Sequence, residues 1–147
     1  MGKFVQLILC LQLIIFSFGL SAQNFNSVKF DEINVSIHSK VIKLEYAHSF
    51  EQRAQGLMNR ESICEQCGML FNFKQTKRAS MWMKNTLIPL DVAFVRKDGV
   101  ITDIKAMKAH DLTPVGSSEN VLYAWEMNLG WFKENGIVVG DSIQIQP

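Results

Sequence analysis

The chain has 147 residues, 48% hydrophobic and 20% charged, with 15 basic and 14 acidic side chains, which is the size and composition of one globular domain with some apolar excess. So even a balance gives no long-range attraction for a phosphate backbone, and no basic patch interrupts it, so nucleic acid is excluded as an expected partner. With 3 cysteines in the whole sequence, a dense disulfide scaffold is excluded as well.

The apolar excess sits at the start. Residues 1–22 carry one charge, Lys3, then the apolar run Phe4 to Leu20 and a small-residue exit at Ser21-Ala22-Gln23. That is the layout of a secretory signal peptide cut after Ala22, and it predicts export to the periplasm or beyond the cell. The competing reading is an uncleaved anchor. Against it, the run is about 17 residues with Gln12 inside it, at the bottom of the spanning range, and no basic cluster follows. After cleavage no stable membrane insertion is expected, and 14 basic residues face 14 acidic ones. The remaining chain can bury roughly two thirds of its unfolded surface, enough for a self-sufficient core. Cys10 leaves with the signal, so Cys64 and Cys67, in Cys64-Glu65-Gln66-Cys67, are expected to form a disulfide in an oxidising compartment.

A polar arm over residues 23–32 leads into a domain over 33–147. Ile33 to Ile37 alternates apolar and polar, and Ile42, Leu44 and Tyr46 repeat the period after His38-Ser39-Lys40, which predicts an antiparallel hairpin. Ser49-Phe50-Glu51-Gln52 has the capping-box pattern and predicts a short helix, weakened or ended by Gly56. Residues 68–73 and 79–83 read as two strands joined by a charged turn from Lys74 to Arg78. Asp91 to Arg96 and Val100 to Met107 flank Lys97-Asp98-Gly99, where Asp-Gly supplies the positive φ angles of a tight hairpin turn. Residues 110–120 read as a polar loop and Val121 to Met127 as a further strand. Trp131 to Asn135 is a helical turn stopped by Gly136, and Ile137 to Ile145 closes the chain with a turn and a strand. About seven strands with one or two short helices predict an α+β fold: a single compact β-rich domain built on a mostly antiparallel, barrel-like sheet.

One segment stands out, Met81-Trp82-Met83-Lys84-Asn85-Thr86-Leu87-Ile88-Pro89-Leu90-Asp91. A polar triplet interrupts the apolar pattern where a strand must turn, and Pro89 lacks the N–H that a central ladder requires, so the chain exits a sheet, makes a polar corner and re-enters at Leu90. Two readings stay open. Asn85 and Thr86 bond nearby backbone while Asp91 pairs with Lys84 as a brace, or Lys84, Asn85 and Asp91 line a pocket backed by Trp82 and methionines.

The strings Arg53-Ala54-Gln55-Gly56-Leu57-Met58-Asn59-Arg60, Gly68-Met69-Leu70-Phe71, Met81 to Asp91 and Gly140-Asp141 resemble the family called domain of unknown function 192, from about Asn34 to Ile145. The resemblance implies a compact β-rich domain with a small barrel-like core, often behind a signal peptide, and no settled activity. It marks Arg53, Gly56, Met58, Arg60, Gly68, Met69, Trp82, Lys84, Asn85, Thr86, Pro89, Asp91, Gly140 and Asp141 as characteristic positions. Glu126 matches the acidic residue of a late Leu-Glu pair, with Trp125 in place of the leucine. Cys64 and Cys67 fall where the family's spacing varies.

Arg53, Arg60, Lys84, Asp91 and Glu126 are charged groups in segments that otherwise look buried, so each needs a partner. The leading expectation is a binding module for a small acidic molecule or a peptide, using Arg53, Arg60, Trp82, Lys84, Asn85, Thr86, Asp91 and Glu126, without a metal or cofactor. Three alternatives are carried: an enzyme using Asp91, Glu126 and Lys84 for acid–base chemistry, a copper protein using Met58, Met69, Met81 and Met83 with the cysteines, and a thiol-redox protein using Cys64 and Cys67. The last lacks the helix N-terminus and βαβ unit that usually support a catalytic dithiol, and His38, His48 and His110 are too far apart in sequence to suggest zinc.

Overall fold

A computed structural model describes residues 28–146; the expected signal peptide, the first part of the polar arm and Cys10 lie outside the described residues. The described chain folds as a seven-stranded sheet with two short helices, β1 (Asp31–Ile37), β2 (Lys40–Ala47), α1 (Phe50–Gln55), β3 (Gly68–Met81), β4 (Leu90–Val95), β5 (Ile101–Met107), β6 (Val115–Asn128), α2 (Trp131–Glu134) and β7 (Gln144–Gln146). Strand order is β5-β4-β6-β3-β2-β1-β7. Every neighbouring pair is antiparallel except β2 and β3, which run parallel through Glu45↔Met69, Tyr46↔Leu70 and Ala47↔Phe71. A parallel pair needs a crossover, and α1 with the loop after it supplies that crossover.

The sheet is mixed and does not close into a barrel. Its ends approach each other instead: Val100 bridges Ser142, the Ile101 N–H donates to Asp141 O (2.9 Å) and the Ile143 N–H to Gly99 O (2.9 Å). The segment leading to β7 therefore lies beside the start of β5, which gives the curled, roughly barrel-like shape without a continuous ladder.

The β1–β2 hairpin turns at His38 and Ser39 with Ile37 opposite Lys40. Two strands exceed expectation. β3 is continuous through Lys74 to Arg78, and β6 begins at Val115 inside the segment expected as a loop; their ladder tolerates the charged stretch through irregularities between Asn72 and Lys77 and between Arg78 and Ser80. A bulge lets polar residues project while pairing resumes beyond them. Gly68 is required at the first rung, because a Cβ there would collide with the Glu126 carbonyl oxygen and the Met127 sulfur.

Alternation along the strands defines two cores. On one face, Leu70, Ala93, Val95, Trp125 and Met127 pack with Trp131 and Phe132 of α2 and with the β1–β2 hairpin. On the other, Met69, Phe71, Leu90, Val92, Phe94 and Ala124 are covered by Leu57 after α1 and by Met83 and Ile88 of the polar corner. This second layer positions the candidate site.

Candidate functional site

The site grows from the capping box that starts α1. The Gln52 N–H donates to Ser49 Oγ (3.1 Å) and Gln52 Oε1 accepts the Ser49 N–H (2.9 Å), an arrangement that stabilises the helix by about 1 kcal/mol. Arg53, one turn on, donates through Nη1 to His48 O (2.8 Å) and Asn72 O (3.1 Å), which fastens α1 to β3 and leaves its Nε and Nη2 hydrogens without a bond among the described residues. At Gly56 the chain leaves the helix with φ 47° and ψ −138°, a conformation that favours glycine, and a Cβ there would come within 3.2 Å of the Phe71 ring. Tight passage over Phe71 brings Leu57 down as the cover of the second core.

The polar corner closes the opposite side. Thr86 is buried, with its hydroxyl donating to Lys84 O (3.2 Å). Backbone bonds tie the corner to both neighbours: the Asn59 N–H donates to Asn85 O (2.8 Å), the His110 N–H to Thr86 O (3.0 Å) and the Met83 N–H to Asp111 O (2.9 Å). Asn85 holds φ 53°, which asparagine tolerates better than most residues. Its side chain is exposed.

Between helix and corner lies a cavity of ≈ 40 Å³. Arg53, Gly56 and Met58 line one side, Met81, Trp82 and Thr86 the other, and Phe71 and Glu126 the sheet beneath. Glu126 has the parity of Ala124 on β6, pairs with Met69 and Val92, and so belongs to the second face. It is 4% exposed, and no hydrogen bond or ion pair reaches its carboxyl among the described residues. Burial alone pushes its pKa up to about 8, so at neutral pH the acid is predominantly protonated and can donate a hydrogen bond. Arg53 is then the one formal charge among the lining residues.

Four of the expected site residues, Arg53, Trp82, Thr86 and Glu126, thus meet around one cavity. Lys84 stands at its rim, with Nζ 5.4 Å from the centre of the Trp82 ring. Three do not join them: Arg60, Asp91 and the exposed Asn85. Arg60 forms a bidentate pair with Glu45 (2.7 and 2.6 Å). Asp91 has the parity of Ala93, so it lies on the face opposite Glu126, where its carboxylate accepts the Gly130 N–H (2.8 Å). Its pKa is raised by burial, with that hydrogen bond opposing. The expected Lys84–Asp91 brace is therefore replaced by a carboxylate holding the β6–α2 turn, and Asp91 and Glu126 are separated by the sheet instead of forming an acid–base pair.

Phe71, which no local pattern singles out although it lies in a string that carries the family resemblance, lines the cavity together with Met58 and Met81, two of the methionines of the copper alternative. Strings around residues 53–58, 68–71 and 81–86 all contribute to the wall of the same cavity. Cys64 and Cys67 are joined by a disulfide (2.07 Å) in an exposed loop before β3, so they offer no free thiolate alongside Met58 and Met81. Among the described residues no group of three or more His, Cys, Asp or Glu gathers to hold a metal, and no helix is long and apolar enough to cross a membrane.

The pattern of domain of unknown function 192, described as "Uncharacterized ACR", matches residues 33–145. Five chains of solved structures match as well. One is a Sinorhizobium meliloti protein described as a candidate transcription regulator, 34% identical, with a TM-score of 0.77 over 81% of this chain and 97% of that one. Another is a Novosphingobium aromaticivorans protein of unknown function, 29% identical, with a TM-score of 0.71 over 82% of this chain and 89% of that one. Among curated proteins none matches.

Proposed function

The chain belongs to the family domain of unknown function 192, and from the geometry of its cavity we propose that it is an exported binding module that captures a small acidic group, borne by a small molecule or a peptide, between α1 and the polar corner. One observation carries this reading: the carboxyl of Glu126, a residue only 4% exposed, lines a cavity and has no hydrogen bond or ion pair among the described residues, and the only other ionisable group in the lining is the Arg53 guanidinium. A neutral carboxylic acid donates one hydrogen bond and does not repel an anion. The free guanidinium hydrogens of Arg53 add charge-assisted donors. Apolar side chains of Phe71, Met58, Met81 and Trp82 flank both contacts and lower the local dielectric, which strengthens them. The disulfide supports an oxidising compartment, in keeping with export.

Thermal shift with a panel of acetate, succinate and short peptides at pH 6.5 tests the reading. Carboxylates are expected to raise Tm in the wild type, less so at pH 9 where Glu126 is ionised, and less so in Trp82→Ala. No shift with any carboxylate at either pH rejects it.

A further inference from the structure

We propose that the acidic group is the C-terminal carboxylate of a peptide, with the residues before it laid across the exposed Trp82 indole at the rim. This rests on the reading of the cavity as a carboxylate site and names the molecule that brings the carboxylate in.

Size is the first argument. A water needs about 10–15 Å³ of such space, so ≈ 40 Å³ holds a planar end group. It is far below the ~300–1,000 Å³ of sites that engulf a whole small molecule. A ligand confined to the cavity would have about four non-hydrogen atoms, too few for firm binding at the efficiencies small ligands reach. Useful affinity requires a body outside the cavity.

The rim offers a surface for that body. Trp82 is 52% exposed although it lines the cavity, and it is flanked by the Lys84 ammonium. A cavity with donors and one positive charge, opening beside an exposed indole, matches a chain that ends in a carboxylate and carries an apolar side chain behind it. The lysine over the indole adds a second positive charge on the approach of that carboxylate.

Isothermal titration of the full mature chain at pH 6.5 tests this with three probes: N-acetyl-Ala-Ala-Phe-Ala as free acid, the same peptide as C-terminal amide, and sodium acetate. The free acid is expected to bind at least about tenfold more tightly than either of the others. Trp82→Ala is expected to lower affinity for the acid peptide several-fold more than affinity for acetate. Acetate binding as tightly as the acid peptide, or Trp82→Ala weakening both equally, overturns the peptide assignment and leaves the carboxylate site standing. Equal binding of acid and amide peptides overturns both, as does binding of none of the three.

Discussion

Replacing Glu126 with glutamine isolates the buried carboxyl, because glutamine keeps the shape and the hydrogen-bonding capacity but cannot ionise. In the folded chain Glu126 titrates at about 8, against an ordinary value of 4.5. The folded-state value is raised, so the stability this group contributes is fully present below about pH 4.5 and is lost as pH rises through about 8. Between those limits the unfolded chain sheds its proton while the folded chain keeps it. At about 1.36 kcal/mol per pH unit, wild type loses about 1 kcal/mol by pH 5, about 3 by pH 7 and about 5 by pH 9 relative to Glu126→Gln, a large part of the ~5–15 kcal/mol that holds a domain folded. Urea unfolding of both proteins at those three pH values, extrapolated to water, measures the gap. A gap that stays constant from pH 5 to pH 9 refutes the reasoning, since it means the carboxyl is solvated or paired in the folded state.

Three further outcomes follow from the fold. Replacing both Cys64 and Cys67 with serine removes a four-residue loop closure and is expected to cost about 2 kcal/mol, a fall in Tm of about 8 °C with the fold kept; unfolding of the variant at room temperature would contradict a purely local clamp. Gly56→Ala forces a side chain into a left-handed conformation against Phe71 and is expected to cost roughly 1–3 kcal/mol in denaturant unfolding. Asp91→Ala strips the Gly130 N–H of its acceptor and is expected to cost about 1–3 kcal/mol, with Asp91→Asn costing less; equal stability of all three proteins would remove the carboxylate from its bracing role.

How much could be read from the sequence divides along the range of the interactions. The β1–β2 hairpin, the Ser49–Gln52 capping box and the Asp98-Gly99 turn are written in a few adjacent residues, and each appears where the pattern indicates. β3 and β6 run beyond their local patterns because Lys77 and Arg78, and the polar run before Val121, look like loops until they are paired with one another across the sheet. The parallel β2–β3 contact depends on a crossover that no local pattern reports.

The site divides the same way. Proximity in sequence puts Lys84, Asn85 and Asp91 in one corner. Strand alternation then sends Asp91 to the face opposite Glu126, where its partner lies at Gly130, 39 residues on. Arg53 and Glu126 meet at the cavity because Arg53 of α1 is hydrogen-bonded to β3, which pairs with β6. Gly56 and Gly68, which the family resemblance marks as characteristic, each permit a close approach that makes that packing feasible.

The most direct measurement is a pH titration of the Glu126 carboxyl by carbon-13 NMR, assigned by comparison with Glu126→Gln, with and without N-acetyl-Ala-Ala-Phe-Ala. The expected midpoint is near 8 in the free protein, moving upward when the peptide carboxylate accepts the acid's proton in a hydrogen bond. A midpoint near 4.5, unmoved by the peptide, contradicts it.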